Sequence, residues 1–120
     1  MDNNGIRSID PVYESMYKRG DKQWSSDTLR EFARQEGYQV FDMPLKAIDI
    51  SREPFKIRNL KDFIYHAKRL KNVNFNIPII LDDNGTVADG NHHIVKAFLE
   101  GKDYVKAIRL LKMPESDIEI

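Results

Sequence analysis

The sequence predicts a small α+β domain, in which helices pack on a small mixed β-sheet. Three observations predict this class. Apolar residues recur at helical spacing in the segment that begins at Leu60. Short runs of strand-forming residues, 77–81 and 104–111, are bounded by turn residues such as glycine and asparagine. At 120 residues, the chain is long enough for one compact core and too short for two ordinary domains.

The predicted domain occupies residues 25–113 of the chain. Residues 1–24 are polar and charged with scattered apolar positions, so we expect an N-terminal extension that is partly mobile. Trp24 is expected to anchor this extension, because a lone indole usually packs at the edge of a core. Residues 114–120 are polar and acidic and are predicted to form a tail.

Capping residues mark the starts of the first two helices. They cluster from Ser25 to Thr28, Thr28 with Glu31 fits a capping box, and Gly37 is expected to end this helix. The second helix is predicted to follow Asn59, because apolar residues then recur at i, i+3, i+4, i+7 and i+10. Its buried stripe is expected to consist of Leu60, Phe63, Ile64, Ala67 and Leu70.

The middle of the chain predicts a loop and then a β-hairpin. Residues 51–58 contain a proline and no clean periodicity, which is typical of a loop. Residues 77–81 form a short apolar run, typical of a buried strand. The turn at 82–85 ends in Asn-Gly and leads into a returning strand at 86–88. The two adjacent aspartates of this turn are interpreted as turn residues.

A third helix begins where the returning strand ends, and this junction is the strongest candidate for a functional site. Its five residues are Asp89, Gly90, Asn91, His92 and His93. A helix start exposes backbone N–H groups and the positive end of the helix dipole, so it favours an anion. Glycine lets a ligand approach the backbone closely, while the asparagine and the two imidazoles add side-chain donors.

The alternative interpretation of this junction is purely structural. Asp89 or Asn91 would cap the helix, Gly90 would form the turn, and the histidines would be bystanders. On spacing alone, this alternative is favoured. Adjacent histidines project about 100° apart on a helix, so they cannot easily bind one metal ion, and no metal site is predicted.

Composition excludes several classes of function. Nineteen basic residues balance nineteen acidic ones, which gives no overall field toward nucleic acid or an anionic membrane. The absence of cysteine excludes disulfides and thiolate chemistry and predicts a cytoplasmic protein. No apolar run is long enough to cross a bilayer, and the Walker loop, the serine elbow and the zinc-protease motif are absent.

Two stretches together resemble the ParB/sulfiredoxin superfamily. The first runs from the Pro-Ile strand at 77–81, through the hairpin and the Asp-Gly-Asn-His segment, to Gly101. The second comprises residues 54–58 and the helix at 60–70, which are similar to the first ParB box and the helix after it. The similarity covers roughly residues 45–111.

This resemblance implies a ParB/sulfiredoxin-like fold and a turn that binds nucleotide phosphates. In the superfamily, ParB proteins bind and hydrolyse CTP, sulfiredoxin uses ATP to phosphorylate a sulfinic acid, and some archaeal relatives are small-molecule kinases. Asp89, Gly90 and His92 match the motif, and Asn91 occupies its variable position. The cofactors implied are therefore ATP or CTP, with Mg²⁺ held largely by the phosphates.

The chain departs from the family pattern at three points. First, His93 stands where the family usually has an arginine, whose planar guanidinium binds phosphate through two parallel hydrogen bonds. Arg58 is expected to supply that cationic contact instead. Sulfiredoxin's reactive cysteine is absent, which excludes that activity. The helix-turn-helix domain of chromosome-partitioning ParB has no room in this chain.

The resulting hypothesis is a ParB-like nucleotide-binding module. If it is an enzyme, phosphoryl transfer or NTP hydrolysis is the expected reaction, with Asp89 and His92 as catalytic residues and phosphate held by Gly90, Asn91, His92, His93 and Arg58. The alternative is a non-catalytic or nuclease-like adaptor that binds DNA or protein. Its basic face would consist of Lys56, Arg58, Lys61, Lys68, Arg69 and Lys71.

Overall fold

The computed structural model describes residues 16–119, and within them the chain has the predicted α+β architecture. The strands are β1 (Met16–Arg19), β2 (Lys22–Ser25), β3 (Phe41–Pro44), β4 (Ile79–Leu81), β5 (Val87–Asp89), β6 (Tyr104–Arg109) and β7 (Ile118–Glu119). The helices are α1 (Ser26–Glu36), α2 (Leu60–Lys71) and α3 (Asn91–Leu99), with a 3₁₀ turn at Leu45–Ala47. None of these helices combines the length and apolar composition that a membrane crossing requires.

The larger sheet contains four strands in the order β3-β6-β4-β5. Strand β4 runs parallel to β6 and antiparallel to β5, so the sheet is mixed, as expected. All three residues of β4 are buried, because both faces of the strand are covered. Ile79 and Leu81 pack in one cluster with Ile94 and Ala97 of α3, while Ile80 packs in a second cluster with Leu29 of α1.

The smaller sheet joins the start of the described chain to its end. Strands β1 and β2 form an antiparallel hairpin, and β7 from the predicted acidic tail pairs with β2. Trp24 is buried in the core as expected, and its indole nitrogen donates a hydrogen bond of 2.9 Å to the carbonyl of Pro114. The part of the predicted extension at 16–24 therefore lies mostly in this sheet, while residues 1–15 lie outside the described residues.

The predicted helix caps are correct at Gly37 and Asn59, and the first helix starts at one of the four candidates. Ser25 is the N-cap of α1 and accepts a hydrogen bond from the backbone N–H of Thr28. The Thr28 capping box is wrong, because Glu31 instead bonds to Arg34 within the helix. At the other end of α1, Gly37 has a φ of 70°.

The predicted burial of α2 is wrong. Leu60, Phe63 and Ile64 are 73%, 56% and 40% exposed, although the helix itself has the expected limits. The face that packs against the protein instead carries Asp62 and His66. The physical reason is that α2 lies on the flank of α3, and no described element covers its apolar stripe.

The junction between β5 and α3 is fixed by a close approach of two backbones. Gly90 has a φ of 116°, and a Cβ built there would lie 2.7 Å from Cβ of Ile79 and closer still to its Cγ2 atom. Glycine is thus required because β4 occupies the space of a side chain. The missing side chain thus makes room for Ile79, while the close approach of a ligand to the same backbone stays a prediction.

A buried carboxylate organises the predicted hairpin turn and confirms the assignment of the acidic pair. Asp82 accepts backbone hydrogen bonds from Asn84 and Thr86 at 2.8 and 2.9 Å. It also accepts a hydrogen bond of 2.6 Å from the hydroxyl of Tyr17 and forms an ion pair with Arg19 at 3.2 Å. The carboxylate therefore ties the β1–β2 hairpin to the larger sheet.

The Gly90→Ala variant should unfold at a much lower urea concentration than the matched Gly101→Ala variant. Both glycines have positive φ, which costs an alanine about 1–2 kcal/mol, but only Gly90 also meets Ile79. Overpacking adds about 1–3 kcal/mol. Urea unfolding should therefore give a loss of about 2–5 kcal/mol for Gly90→Ala and about 1–2 kcal/mol for Gly101→Ala. Equal losses would contradict the close approach to Ile79.

The substitution Tyr17→Phe should lower the free energy of unfolding by about 2 kcal/mol at neutral pH, because it removes a hydrogen-bond donor to a buried carboxylate. Burial raises the pKa of Asp82, but its hydrogen bonds from Tyr17, Thr86 and Asn84, together with the charge of Arg19, lower the pKa below its usual value. The stabilisation is thus complete above about pH 4 and is lost as pH falls through the folded-state pKa.

Urea unfolding of both proteins from pH 7 to pH 2 measures this effect. Tyr104→Phe is the control, because Tyr104 is 57% exposed and should cost little at any pH. A Tyr17→Phe penalty that stays constant across the whole range would be inconsistent with an ionised Asp82 as the acceptor.

Candidate functional site

The candidate residues lie together in one cleft of about 1040 Å³. Its floor is formed by β5 and the first turn of α3. One wall comprises the β1–β2 hairpin, the start of α1 and Ile118, and the other comprises the loop at 52–58 with Arg69 of α2. All six residues that the sequence analysis selected line this cleft, namely Asp89, Gly90, Asn91, His92, His93 and Arg58.

The cleft is basic although the protein carries no net charge. Among the residues that the structure describes, six basic and two acidic ones line it. The basic residues are Lys18, Arg30, Arg52, Lys56, Arg58 and Arg69. Among the described residues, no carboxylate lies within 4 Å of the side-chain nitrogens of four of them, Lys18, Arg52, Lys56 and Arg69. A concave surface lined by one sign of charge concentrates ligands of the opposite sign.

The N-terminus of α3 opens into this cleft without a side-chain cap. Its N-cap residue is Gly90, and among residues 16–119 no side chain accepts a hydrogen bond from the backbone N–H groups of the first turn. By contrast, Ser25 caps α1 and Asn59 caps α2. The structural alternative, in which Asp89 or Asn91 caps this helix, is therefore wrong. Backbone N–H groups of the first turn are left for a ligand or for solvent.

Asp89 is held in an ion pair with α1. One of its carboxylate oxygens, Oδ2, lies 3.0 Å from Nε and 2.8 Å from Nη2 of Arg30. The same guanidinium donates from Nη1 to the carbonyl of Pro78 at 2.8 Å. Arg30 thus connects α1 to the strands beneath the cleft, and Asp89 orients it. The carboxylate is placed to hold the turn in position.

Asn91 holds the loop that forms one wall. Its amide nitrogen donates a hydrogen bond of 2.7 Å to the carbonyl of Pro54, and its amide oxygen is buried with no hydrogen-bond partner among residues 16–119. At the end of this loop, Arg58 lies across Asp62, with 2.8 Å between Nε and the carboxylate, and its side chain is 70% exposed. The hydrogen bonds from Arg58 lower the pKa of Asp62.

His92 lines the cleft, and the Nε2 edge of its ring lies in an aromatic cluster. Its Nε2 atom lies 2.8 Å from Nδ1 of His66, and Nε2 of His66 lies 3.1 Å from the carbonyl oxygen of Lys56. Phe55 stacks on both imidazoles, with ring centroids 4.1 Å from His66 and 4.5 Å from His92. Burial, with smaller effects of nearby positive charge, lowers the pKa of His92 to about 3.

His93 donates a hydrogen bond to the polypeptide backbone. Its Nε2 atom lies 3.2 Å from the carbonyl oxygen of Asn74, so this nitrogen donates, and Nδ1 is buried with no partner in the described chain. Burial and the charge of Arg30 lower the pKa of His93. A neutral His93 therefore has no remaining N–H to offer a phosphate, unlike the arginine usual at this position in the superfamily that the sequence resembles.

The arrangement provides donors and positive charge for an anion, and few groups for acid–base chemistry. The donors are the amides of α3 and the cationic side chains of the walls. In the part of the chain that the structure describes, no three histidine, aspartate, glutamate or cysteine side chains are grouped so that they could hold a metal ion. Recognition of an anion is thus the chemistry that the geometry favours most directly.

Sequence reasoning missed several residues of the cleft. Arg30 and Arg52 were not selected, because each looks like an ordinary surface arginine in its segment. His66 was not selected either, and only folding brings it to its partner His92, 26 residues away. Phe55 lies in the segment at 54–58 that resembles the first ParB box, but no pattern in the sequence indicated a role for its ring. These residues come together through packing between α2, α3 and the loop.

Comparisons of the chain with models of known protein families, with curated proteins and with solved structures found no match.

Substituting Phe55→Ala should loosen the loop at 52–58, because it removes the ring stacked on His66 and His92. Two aromatic pairs contribute about 1–2 kcal/mol, so trypsin should cleave after the basic residues of this loop roughly tenfold faster. Mass spectrometry of the early peptides measures this. Phe63→Ala is the control, because Phe63 is 56% exposed on α2 and should leave the cleavage rate unchanged. A wild-type rate in Phe55→Ala would contradict the stacking role.

Proposed function

We propose that this chain is a nucleotide-binding module that holds the phosphates of ATP or CTP in the basic cleft. The observation that carries the proposal is the N-terminus of α3, which no described side chain caps, at the floor of a cleft that six basic and two acidic residues of the described chain line. Both features favour a polyanion over a neutral ligand. The volume of about 1040 Å³ is also sufficient for a nucleotide.

The phosphates are assigned to two sets of donors. The backbone N–H groups at the start of α3 would bind one phosphate, because the N-cap residue Gly90 has no side chain to cap them. Lys56 and Arg69 from the far wall would neutralise the remaining charge, since no described carboxylate is paired with them. Arg58 contributes positive charge while it remains attached to Asp62.

Mg²⁺ would be held mainly by the phosphates. The carboxylate nearest the α3 turn, Asp89, already neutralises Arg30 at 2.8 Å, so it is a poor candidate for a direct metal ligand. Mg²⁺ commonly keeps several waters and uses substrate phosphates as ligands. The residues present are compatible with this mode of binding.

If the module turns over its nucleotide, NTP hydrolysis or phosphoryl transfer is the reaction we propose. Such reactions depend mostly on positioning and on stabilising charge, which the α3 amides and the arginines could provide. Asp89 would act by orienting the turn and Arg30. The low pKa of His92 makes it a weak base at neutral pH. The resemblance to the ParB/sulfiredoxin superfamily supports the same reaction class.

One observation favours the adaptor as a second candidate. The apolar stripe of α2 is exposed at Leu60, Phe63 and Ile64, and exposed apolar patches are typical of protein-binding surfaces. The basic residues assigned to this alternative are divided between two surfaces, with Lys56, Arg58 and Arg69 in the cleft. Lys61, Lys68 and Lys71 are exposed on α2 outside the cleft. This division favours a protein partner on α2 over DNA.

Substituting Arg69→Gln should weaken binding of the triphosphate about 10- to 100-fold, because a charge-assisted hydrogen bond is worth about 1.5–3 kcal/mol. Isothermal titration calorimetry with ATP, CTP and GTP, each with and without Mg²⁺, measures the affinity. Lys68→Gln is the matched control, because it removes the same charge one residue away on α2 but outside the cleft. Equal losses in the two variants would indicate only long-range electrostatics.

The absence of measurable heat with all three nucleotides would refute the nucleotide-binding proposal. It would leave the exposed stripe of α2 as the main functional surface.

A further inference from the structure

The hydrogen bonds around His66 determine where the protons of two histidines lie. The carbonyl oxygen of Lys56 can only accept, so Nε2 of His66 must carry a proton. With both rings neutral, Nδ1 of His66 is then unprotonated and must accept a hydrogen bond from the ring nitrogen of its partner at 2.8 Å. Nε2 of His92 is therefore the donor, and Nδ1 of His92 is an acceptor.

The surroundings of the pair keep His92 neutral. Burial and the positive charge of Arg69 lower its pKa to about 3, and Phe55 covers its ring. Nδ1 of His92 has no hydrogen-bond partner in the described chain, and the residue lines the cleft. The nitrogen available to a ligand is thus an acceptor at neutral pH.

A phosphate cannot pair with such a nitrogen. An ionised phosphate offers only acceptor oxygens, and two acceptors facing each other repel. The sequence analysis assigned His92 to phosphate binding, and the proton positions argue against that role. The ligand group that fits Nδ1 must carry a proton.

We propose that His66 is a positioning residue that holds His92 as the Nε2–H tautomer, so that His92 accepts a hydrogen bond from a ribose hydroxyl of the bound nucleotide. This inference rests on the proposed function. The ribose hydroxyls are the proton-bearing groups of a nucleotide that lie nearest to its phosphates. His92 directly follows Asn91 in the turn to which the phosphates are assigned, so the sugar is the part of the nucleotide expected beside it.

Nitrogen-15 NMR of the imidazoles in the nucleotide-free protein at neutral pH tests the tautomer. We expect Nε2 protonated and Nδ1 unprotonated in both His66 and His92. In His66→Leu, His92 loses its acceptor and should shift toward the Nδ1–H tautomer, whereas His66→Asn offers an amide oxygen and should retain the Nε2–H form. A His92 protonated on Nδ1 in the wild type, or unchanged by His66→Leu, would overturn the positioning role.

Calorimetry with ATP, CTP and their 2′,3′-dideoxy analogues tests the ligand group. Loss of one hydrogen bond of about 1 kcal/mol predicts that the wild type binds the dideoxy form about fivefold more weakly. His92→Phe keeps a ring beneath Phe55 and should remove this difference between the nucleotide and its dideoxy analogue.

The outcomes separate this inference from the proposal on which it rests. Equal affinities of the wild type for a nucleotide and its dideoxy analogue, or a difference that persists in His92→Phe, would overturn the hydroxyl assignment while nucleotide binding stands. Failure of every nucleotide to bind would overturn both the proposed function and the hydroxyl assignment, and NMR would still decide the tautomer.

Discussion

The position of the candidate site depends on the close approach between Gly90 and Ile79. Because no side chain separates them, the chain leaves β5 and starts α3 directly against the buried strand β4. This contact places the first turn of α3 at the floor of the cleft and directs its uncapped amides outward. Ile94 and Ala97 then pack on the same sheet face as Ile79, which keeps the helix in this orientation. The constraint is steric, and the electrostatic properties of the site follow from it.

Tertiary folding separates the charges of a neutral chain. The protein has nineteen basic and nineteen acidic residues, yet its cleft has a surplus of basic ones. Several carboxylates are used in structural contacts: Asp82 organises the hairpin turn, Asp117 accepts hydrogen bonds at the start of α1, and Asp89 holds Arg30. These contacts leave Lys56 and Arg69 without a carboxylate partner among the described residues. A locally positive surface therefore needs no overall positive charge.

The inward face of α2 buries polar side chains instead of apolar ones. Asp62 and His66 are buried while Leu60 and Phe63 are exposed, which reverses the usual preference of an amphipathic helix. Each buried group is compensated: Arg58 and the backbone satisfy Asp62, while Lys56 and His92 bond to His66. Burial of such groups is favourable only when their hydrogen bonds are formed. The orientation of α2 thus joins the wall of the cleft to the start of α3 and leaves the apolar stripe of α2 exposed.

The sequence by itself determined the α+β class, the limits of α2, the hairpin at 82–85 and the group of residues at 89–93, because periodicity, caps and turns are local signals. The tertiary structure decided which face of α2 is buried, since burial depends on where neighbouring elements lie. It also decided that Gly90 accommodates Ile79, that Arg30 pairs with Asp89, and that His66 meets His92. These contacts join residues that lie between 11 and 59 positions apart, so no local pattern could specify them. The candidate segment was therefore visible in the sequence, whereas the direction of its hydrogen bonds was set by folding.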